Sequence, residues 1–287
     1  MRLVPLHPDF GVRIDGVSIA DGVDAPTFDA VREAFERHSV VLMRDQTLDD
    51  EALVAFSQRF GALEPVHTTL ANEKRVDYIA RIGNVDRDGV QLRSDHPRVR
   101  YLRGNEMWHS DSSFRETPAL ASLLLAHEVP AEEGATEFVS TRAAYARLPE
   151  SMRAELDPLV VIHDFVYSRS KVGPGVVTDD HAAMLPPVRH RLVRENPVTG
   201  ERAYYVGSHA RDIEGYDEAR GRALIADLMA RATRPEHVYR HRWRPGDLVI
   251  WDNRAVLHRG QGFDPDRYRR KLHRTTVAGL GPTLTVG

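Results

Sequence analysis

Apolar residues recur at helical spacing in three stretches of the chain and predict three amphipathic helices. The first helix begins after Asp24-Ala-Pro-Thr, because aspartate is a favourable N-cap and proline fits the first turn. It places Phe28, Val31 and Phe35 on one face. The other two stretches contain Leu53, Phe56 and Phe60 ahead of Gly61, and Leu224, Ile225, Leu228 and Met229 between Asp217 and Thr233.

Short apolar runs bounded by turn residues predict β-strands along most of the chain. The longest run, residues 118–129, is expected to form a buried strand. Many short strands with few helices favour an antiparallel barrel or sandwich, with the late helix packed outside the sheet. The other predicted strands are residues 39–43, 76–82, 159–165, 203–206, 237–243, 248–251 and 272–278.

Two stretches, residues 62–107 and 168–189, lack periodicity apart from the short strand near 76–82. Irregular segments of this length commonly cover a binding site, so we predict two lid loops. The chain has no internal repeat, low-complexity tract or long linker. Residues 1–287 are therefore predicted to form a single domain.

The charge and composition narrow the class of protein. The 287 residues include 39 basic and 42 acidic side chains, and this near-neutral balance argues against a nucleic-acid partner. The apolar runs are too short to span a bilayer, and the absence of cysteine removes disulfides, thiolate metal ligands and a cysteine nucleophile. The first residues lack the apolar run of a signal peptide. We expect a cytoplasmic homo-oligomer without a membrane partner.

The strongest chemical signal is a histidine and an aspartate two residues apart in Trp108-His-Ser-Asp111. On an extended strand, residues i and i+2 point to the same face, so His109 and Asp111 can reach one metal ion. A second histidine, His258, ends the segment that begins at Trp251. Two imidazoles and one carboxylate form the facial triad of non-haem Fe(II) oxygenases. Taken alone, a His-x-Asp pair is more often structural.

Two arginines follow the second histidine. Arg270 lies twelve residues after His258, and an arginine inside a barrel is costly unless it faces an anion. A dicarboxylate co-substrate would supply that anion. Arg274 lies four residues further on, so on a strand it faces the same way as Arg270.

These residues lie in longer segments of a recognisable pattern. With these segments the chain resembles, almost end to end, the Fe(II)/2-oxoglutarate-dependent dioxygenases of the taurine dioxygenase and chlorophenoxyacetate dioxygenase family, and the chlorophenoxyacetate branch most of all. The segments are Val40-Val-Leu-Met-Arg44, Asn105-x-x-Trp-His-Ser-Asp-Ser-Ser-Phe114, Gly246-Asp-Leu-Val-x-Trp-Asp-Asn-Arg-x-Val-Leu-His-Arg-Gly260 and Arg269-Arg-x-x-x-Arg274.

The resemblance implies a fold and a set of site residues. The fold is mainly β with flanking helices, a double-stranded β-helix or jelly roll. Fe(II), 2-oxoglutarate and O2 would take part in the reaction. By the resemblance, His109, Asp111 and His258 bind the metal, Thr136 and Arg270 bind 2-oxoglutarate, and Arg274, Asn105 and His209 lie at the prime substrate.

The resemblance also implies the reaction, which is hydroxylation of a small anionic organic acid with release of succinate and CO2. For an aryloxyalkanoate, hydroxylation beside the ether oxygen gives a hemiacetal that collapses to a phenol and an oxo acid. The alternatives are hydroxylation of a sulfonate such as taurine or of another natural carboxylate. Outside this class stand a binding module with a vestigial site and a zinc hydrolase that uses the same ligands.

Overall fold

The computed structural model describes residues 1–66, 77–173, 176–177 and 179–284. The described residues form fifteen strands and eight α-helices. The strands are β1 (Arg2–Pro5), β2 (Val12–Asp15), β3 (Val40–Met43), β4 (Ala80–Gly83), β5 (Ala119–Glu128), β6 (Thr136–Ser140), β7 (Val160–His163), β8 (Val188–Arg191), β9 (Val193–Glu195), β10 (Arg202–Tyr204), β11 (Ala210–Ile213), β12 (Tyr239–His241), β13 (Leu248–Asp252), β14 (Val256–Gly260) and β15 (Lys271–Ala278). The helices are α1 (Ala25–His38), α2 (Asp50–Gln58), α3 (Pro97–Leu102), α4 (Thr141–Ala146), α5 (Glu150–Leu156), α6 (Phe165–Ser170), α7 (Asp179–Met184) and α8 (Glu218–Ala232).

Two sheets face each other across an apolar core. The larger sheet has seven strands in the order β1-β2-β3-β13-β5-β15-β4, and the smaller has the order β12-β6-β14. Side chains from both sheets, among them Leu42, Val249 and Phe138, belong to the core between them. This arrangement, with helices on the outside, is the predicted jelly roll.

The central strands of the larger sheet are apolar on both faces because both faces are covered. In β3, Val40 and Leu42 enter the core between the sheets, whereas Val41 and Met43 pack on the side of α1 and α2. A third apolar cluster includes Val139 of β6 together with residues of α4, α5 and α8. The two sheets therefore lie between α1 and α2 on one side and, on the other, a layer of helices α4, α5 and α8 with strands of two small sheets, β10-β9 and β11-β7-β8. No described helix has the length and apolar character needed to cross a membrane.

The three predicted helices are confirmed. Asp24 caps α1 by accepting a hydrogen bond from the backbone N–H of Thr27 at 2.9 Å, and α8 spans nearly the predicted range. The second helix is shorter than expected, because α2 ends at Gln58 and leaves Phe60 beyond its last turn. Phe60 is still buried, against the ring of Phe28. The predicted strands are also present with shifted ends, although Val76 lies outside the described residues.

Two expectations about irregular segments were wrong in detail. The stretch 62–107 contains α3, and the stretch 168–189 contains α7 and the start of β8. Likewise, the strand expected over 159–165 ends at His163, where Asp164 caps α6. Helices of six residues complete fewer than two turns, so their apolar positions show no periodicity in the sequence. The role of these segments as lids stays a prediction.

One buried histidine ties the stability of this fold to pH. His190 on β8 forms hydrogen bonds with the Ser113 carbonyl and the Thr283 hydroxyl, each at 2.9 Å. Burial, with help from nearby Arg194, lowers the pKa of His190 to about 4. Between about pH 6.5 and 4 the unfolded chain therefore binds the extra proton, and stability falls as the pH falls.

We expect His190→Gln to have a flatter pH dependence of unfolding than the wild-type protein. The difference in slope should reach roughly 1 kcal/mol per pH unit between pH 6 and 4.5, since one histidine contributes at most about 1.4 kcal/mol per unit. Urea denaturation at several pH values measures both slopes. Parallel stability curves for the two proteins would contradict this assignment.

Candidate active site

The two histidines of the predicted triad are held side by side by their own backbones. His109 and His258 form an isolated antiparallel bridge, with N···O distances of 3.0 and 2.9 Å, and their ring centroids lie 4.2 Å apart. Asp111 completes the group: its carboxylate oxygens lie 3.8 Å from His109 Nε2 and 3.7 Å from His258 Nε2. All three side chains are buried. The three residues singled out in the sequence are thus brought together.

The backbone conformation that positions Asp111 differs from the one expected from the sequence. It lies in a turn, not on an extended strand, and the next residue, Ser112, has a left-handed φ of 53°. The Asp111 backbone N–H donates to the side-chain oxygen of Asn253 at 3.1 Å. This contact, together with the turn, directs the carboxylate toward the two imidazoles.

Both imidazoles are prepared to act as neutral ligands. His109 Nδ1 lies 2.8 Å from the carbonyl of Met107, and since a carbonyl only accepts, Nδ1 carries the hydrogen and Nε2 keeps a free lone pair. Burial lowers the pKa of His109, and it lowers that of His258 well below the usual value. Neutral imidazole is the form of histidine that binds a metal.

Asp111 is held as an anion. Arg274 Nη1 donates to one carboxylate oxygen at 2.6 Å, and Ser122 Oγ donates to the other at 2.7 Å. Burial alone would favour the protonated form, but the Arg274 guanidinium, together with the hydrogen bond from Ser122, outweighs it and holds the pKa of Asp111 well below its usual range. Each carboxylate oxygen retains a second lone pair, so Asp111 can still bind a cation.

Asn253 orients this group and was not identified from the sequence. Its Nδ2 donates to Ser122 Oγ at 2.9 Å, and its Oδ1 accepts from the Trp251 indole at 3.0 Å as well as from the Asp111 backbone. Its place in the turn between β13 and β14, within the motif that ends at His258, was visible in the sequence. Its role depends on contacts with distant residues that only the fold provides.

A cavity beside the histidines contains the two residues predicted for 2-oxoglutarate, Thr136 and Arg270. Thr136 Oγ accepts a hydrogen bond from the Trp243 indole at 2.9 Å. Because the indole occupies a lone pair of the hydroxyl oxygen, the Thr136 O–H remains available to donate to an anionic ligand. His109 and His258 line the same cavity.

Arg270 is a buried cation that forms no ion pair with a carboxylate of the described residues. Its Nε donates to the Gly134 carbonyl at 3.3 Å, and burial lowers its pKa to about 10. Gly134 has a φ of +70°, and a Cβ there would lie 3.0 Å from Arg270 Nε, so a larger residue would crowd the guanidinium. Asn84 holds the backbone, since its Oδ1 accepts from the Arg270 N–H at 2.8 Å. Asn84 was not predicted either.

A second cavity adjoins the first and shares His109, Asn105 and Arg274 with it. Arg270 and Arg274 both line the first cavity, as their spacing predicted, although Arg270 precedes β15 and Arg274 lies within it. The three residues predicted for the prime substrate, Arg274, Asn105 and His209, all line the second cavity. Its apolar wall is formed by Ile79, Ile82, Tyr101, Leu102, Phe114 and Phe165.

His209 contributes to the wall of the second cavity as an aromatic ring. It stacks on Phe165 with an interplanar angle of 11°, and its Nδ1 lies 2.7 Å from Ser168 Oγ. The Ser168 hydroxyl donates to the Phe165 carbonyl, so Nδ1 carries the hydrogen of the His209 contact. With its pKa held well below the usual value by burial and by Arg169, His209 is neutral, and its Nε2 has no hydrogen to donate.

One other group of two histidines and an aspartate, Asp50, His127 and His273, is close enough to hold a metal among the described residues. His273 Nδ1 and Asp50 Oδ1 lie 2.5 Å apart and form a hydrogen-bonded pair. Neither of the two cavities beside the triad is lined by these residues. The triad is therefore distinguished by its complete burial and by its place in the lining of both cavities.

The comparison with protein families shows to which family this chain belongs. The model of the "Taurine catabolism dioxygenase TauD, TfdA family" matches residues 2–276. The chain belongs to this family. It is a dioxygenase, and the predicted recognition and enzyme class are confirmed.

Individual relatives support the same assignment. The alpha-ketoglutarate-dependent 2,4-dichlorophenoxyacetate dioxygenase of Cupriavidus pinatubonensis is 38% identical over 276 residues, which are 95% of this chain and 96% of that protein. The (S)-phenoxypropionate/alpha-ketoglutarate-dioxygenase of Sphingobium herbicidovorans is 34% identical over 285 residues, covering 96% and 94%. The crystal structure of AAD-2 in complex with Mn(II) and N-oxalylglycine superposes with a TM-score of 0.89 at 36% identity, covering 99% of this chain and 100% of that one.

Proposed function

We propose that this dioxygenase uses Fe(II) and 2-oxoglutarate to hydroxylate aryloxyalkanoic acids beside the ether oxygen, which releases a phenol and an oxo acid. The observation that carries the proposal is the buried triad of two neutral histidines and one anionic aspartate, which contributes to the lining of two cavities that both contain arginine. The organisation as one domain, the homo-oligomeric state and the cytoplasmic location stay predictions from the sequence.

The donor set fits a divalent metal. The ligand atoms of His109, Asp111 and His258 lie within 4.8 Å of one another, and Asp111 supplies one negative charge. Two imidazoles and one carboxylate suit Fe(II) and leave other coordination positions open. Bound Fe(II) would supply the place where O2 is reduced while 2-oxoglutarate is oxidised to succinate and CO2 and the substrate gains a hydroxyl group.

The first cavity fits 2-oxoglutarate. The Arg270 guanidinium can pair with the distal carboxylate in a two-pronged contact, and the Thr136 hydroxyl can donate one further hydrogen bond. The related AAD-2 was crystallised with Mn(II) and N-oxalylglycine, which, like 2-oxoglutarate, carries an oxo group beside one carboxylate and a second carboxylate at its other end. Burial of Arg270 excludes water from the pairing and strengthens it.

The second cavity fits the aryl group of the prime substrate. Its aromatic and aliphatic wall offers an apolar surface for a substituted phenyl ring. Relatives at 38% and 34% identity are named for 2,4-dichlorophenoxyacetate and (S)-phenoxypropionate. This chain's residues would hold such a ring against Phe114 and Phe165 and present the ether-bearing carbon toward the triad.

We expect the anaerobically purified enzyme, supplied with Fe(II), 2-oxoglutarate and O2, to release 2,4-dichlorophenol from 2,4-dichlorophenoxyacetate with one succinate formed per phenol. Mass spectrometry and a colorimetric phenol assay measure the two products. Zn(II) in place of Fe(II) serves as the control and should give neither. Turnover with Zn(II) would favour a hydrolase, and sulfite release from taurine without phenol from any ether would favour a sulfonate hydroxylase.

A further inference from the structure

The second cavity carries more positive than negative charge. Six arginines and three acids line it among the described residues. Four of the arginines form ion pairs with the three acids. Arg274 pairs with Asp111 at 2.6 Å and Arg115 with Glu64 at 3.6 Å. Arg87 and Arg81 both pair with Asp77, at 3.1 and 3.3 Å. The two remaining arginines of this lining, Arg98 and Arg169, have no carboxylate partner in the described parts of the chain.

Arg169 is the buried member of this pair. It has a relative exposure of 7%, and burial lowers its pKa. Its guanidinium donates to neutral oxygens, those of the Asn105 side chain at 3.2 Å and the Tyr101 carbonyl at 3.4 Å, and its buried Nε has no hydrogen-bond partner in the described residues. A buried cation with a spare donor and no carboxylate in direct contact is costly unless an anion binds to it.

The chain leaves space for this guanidinium. A Cβ on Gly104 would lie 1.7 Å from Arg169 Nη1, so any side chain there would displace the cation. The guanidinium also lies over the Tyr101 ring at 4.8 Å from its centroid and near Phe165 at 5.7 Å. Arg169 is therefore positioned beside the apolar wall on which we place the aryl ring.

We propose that Arg169 binds the carboxylate of the prime substrate in the second cavity, and that Asn105 acts by orienting Arg169. This inference rests on the proposed function and identifies a substrate-binding residue that the family resemblance does not. Arg274, which the resemblance places at the acidic group, already donates to Asp111. His209, which is neutral with its hydrogen on Nδ1, has no second hydrogen to offer a carboxylate.

The test compares an acid with its neutral analogue. Binding of 2,4-dichlorophenoxyacetate and of the corresponding carboxamide is measured by calorimetry, anaerobically, with Fe(II) and 2-oxoglutarate present. Arg169→Met should lower the affinity for the acid by roughly 10- to 100-fold, as expected for the loss of a charged hydrogen bond, and should change the affinity for the carboxamide little. Gly104→Ala keeps the Arg169 cation but displaces its guanidinium, so it should also lower the affinity for the acid.

Arg189→Met is the matched control, because Arg189 is paired with Glu214 at 2.7 Å, is 59% exposed and lines neither cavity. It should bind the acid as the wild-type protein does. Unchanged acid binding by Arg169→Met, an equal loss of the acid, the carboxamide and 2-oxoglutarate, or no binding of the acid by the wild-type protein would overturn the proposal. Wild-type binding that depends on Arg169 without phenol release would support this subsite and reject the proposed reaction.

Discussion

Replacing Asp111 by alanine is expected to remove metal binding and turnover together. The substitution deletes the only anionic ligand of the proposed triad, so the loss of metal affinity should exceed the roughly 10- to 100-fold typical for residues that merely orient a ligand. It also leaves the guanidinium of Arg274 without its partner at 2.6 Å. Stability should therefore fall by about 3 kcal/mol, the usual cost of breaking a buried pair.

Two further variants separate these effects. Asp111→Ala combined with Arg274→Met removes the stranded charge and should regain most of the stability but none of the metal binding. Ser122→Ala keeps the Asp111 carboxylate but removes its 2.7 Å hydrogen bond from Ser122, together with the acceptor of Asn253 Nδ2, and it should reduce metal affinity by about tenfold. Anaerobic calorimetry with Fe(II) and urea denaturation give the two readouts. Metal binding by the double variant at wild-type affinity would show that Asp111 is not a ligand.

The sequence predicted the strands that are apolar on both faces better than the irregular segments between them. β3 and β13 are continuous apolar runs because they are covered by a sheet on one side and helices on the other. The short helices α3, α6 and α7 have no such signal, since six residues cannot display a helical period. Asp164, which ends β7 and caps α6, shows that a cap residue inside an apolar run can mark the change of structure.

The residues of the candidate site also differ in how well the sequence predicts them. His109, Asp111 and Arg270 could be identified because each is a chemically distinctive residue in a motif. Asn253, Trp243 and Asn84 could not, because their roles lie in contacts across more than 80 residues of sequence: Asn253 to Ser122, Trp243 to Thr136, and Asn84 to Arg270. Amides and indoles are common structural groups, and only the tertiary fold shows which of them hold the site.

Arg270→Met is expected to lower the affinity for 2-oxoglutarate without lowering the affinity for Fe(II). Loss of one partner of a buried, charged contact costs about 2–5 kcal/mol, so the KM for 2-oxoglutarate should rise roughly 30- to 5,000-fold. Arg270 lies outside the triad, and His109, Asp111 and His258 keep their contacts in its absence. Steady-state kinetics and anaerobic metal titration measure the two quantities.

Arg270→Met should also show how much the unpaired Arg270 cation destabilises the ligand-free protein. Gly134 supplies the one hydrogen bond that the Arg270 guanidinium donates within the described residues, so an isosteric apolar side chain should leave the free protein equally stable or more stable. 2-Oxoglutarate should then raise the melting temperature of the wild-type protein but not of Arg270→Met. Thr136→Val, which keeps Arg270, is the control and should lose about tenfold in affinity. Equal destabilisation of the free protein and of its complex by Arg270→Met would mean that this arginine supports the fold instead of the co-substrate.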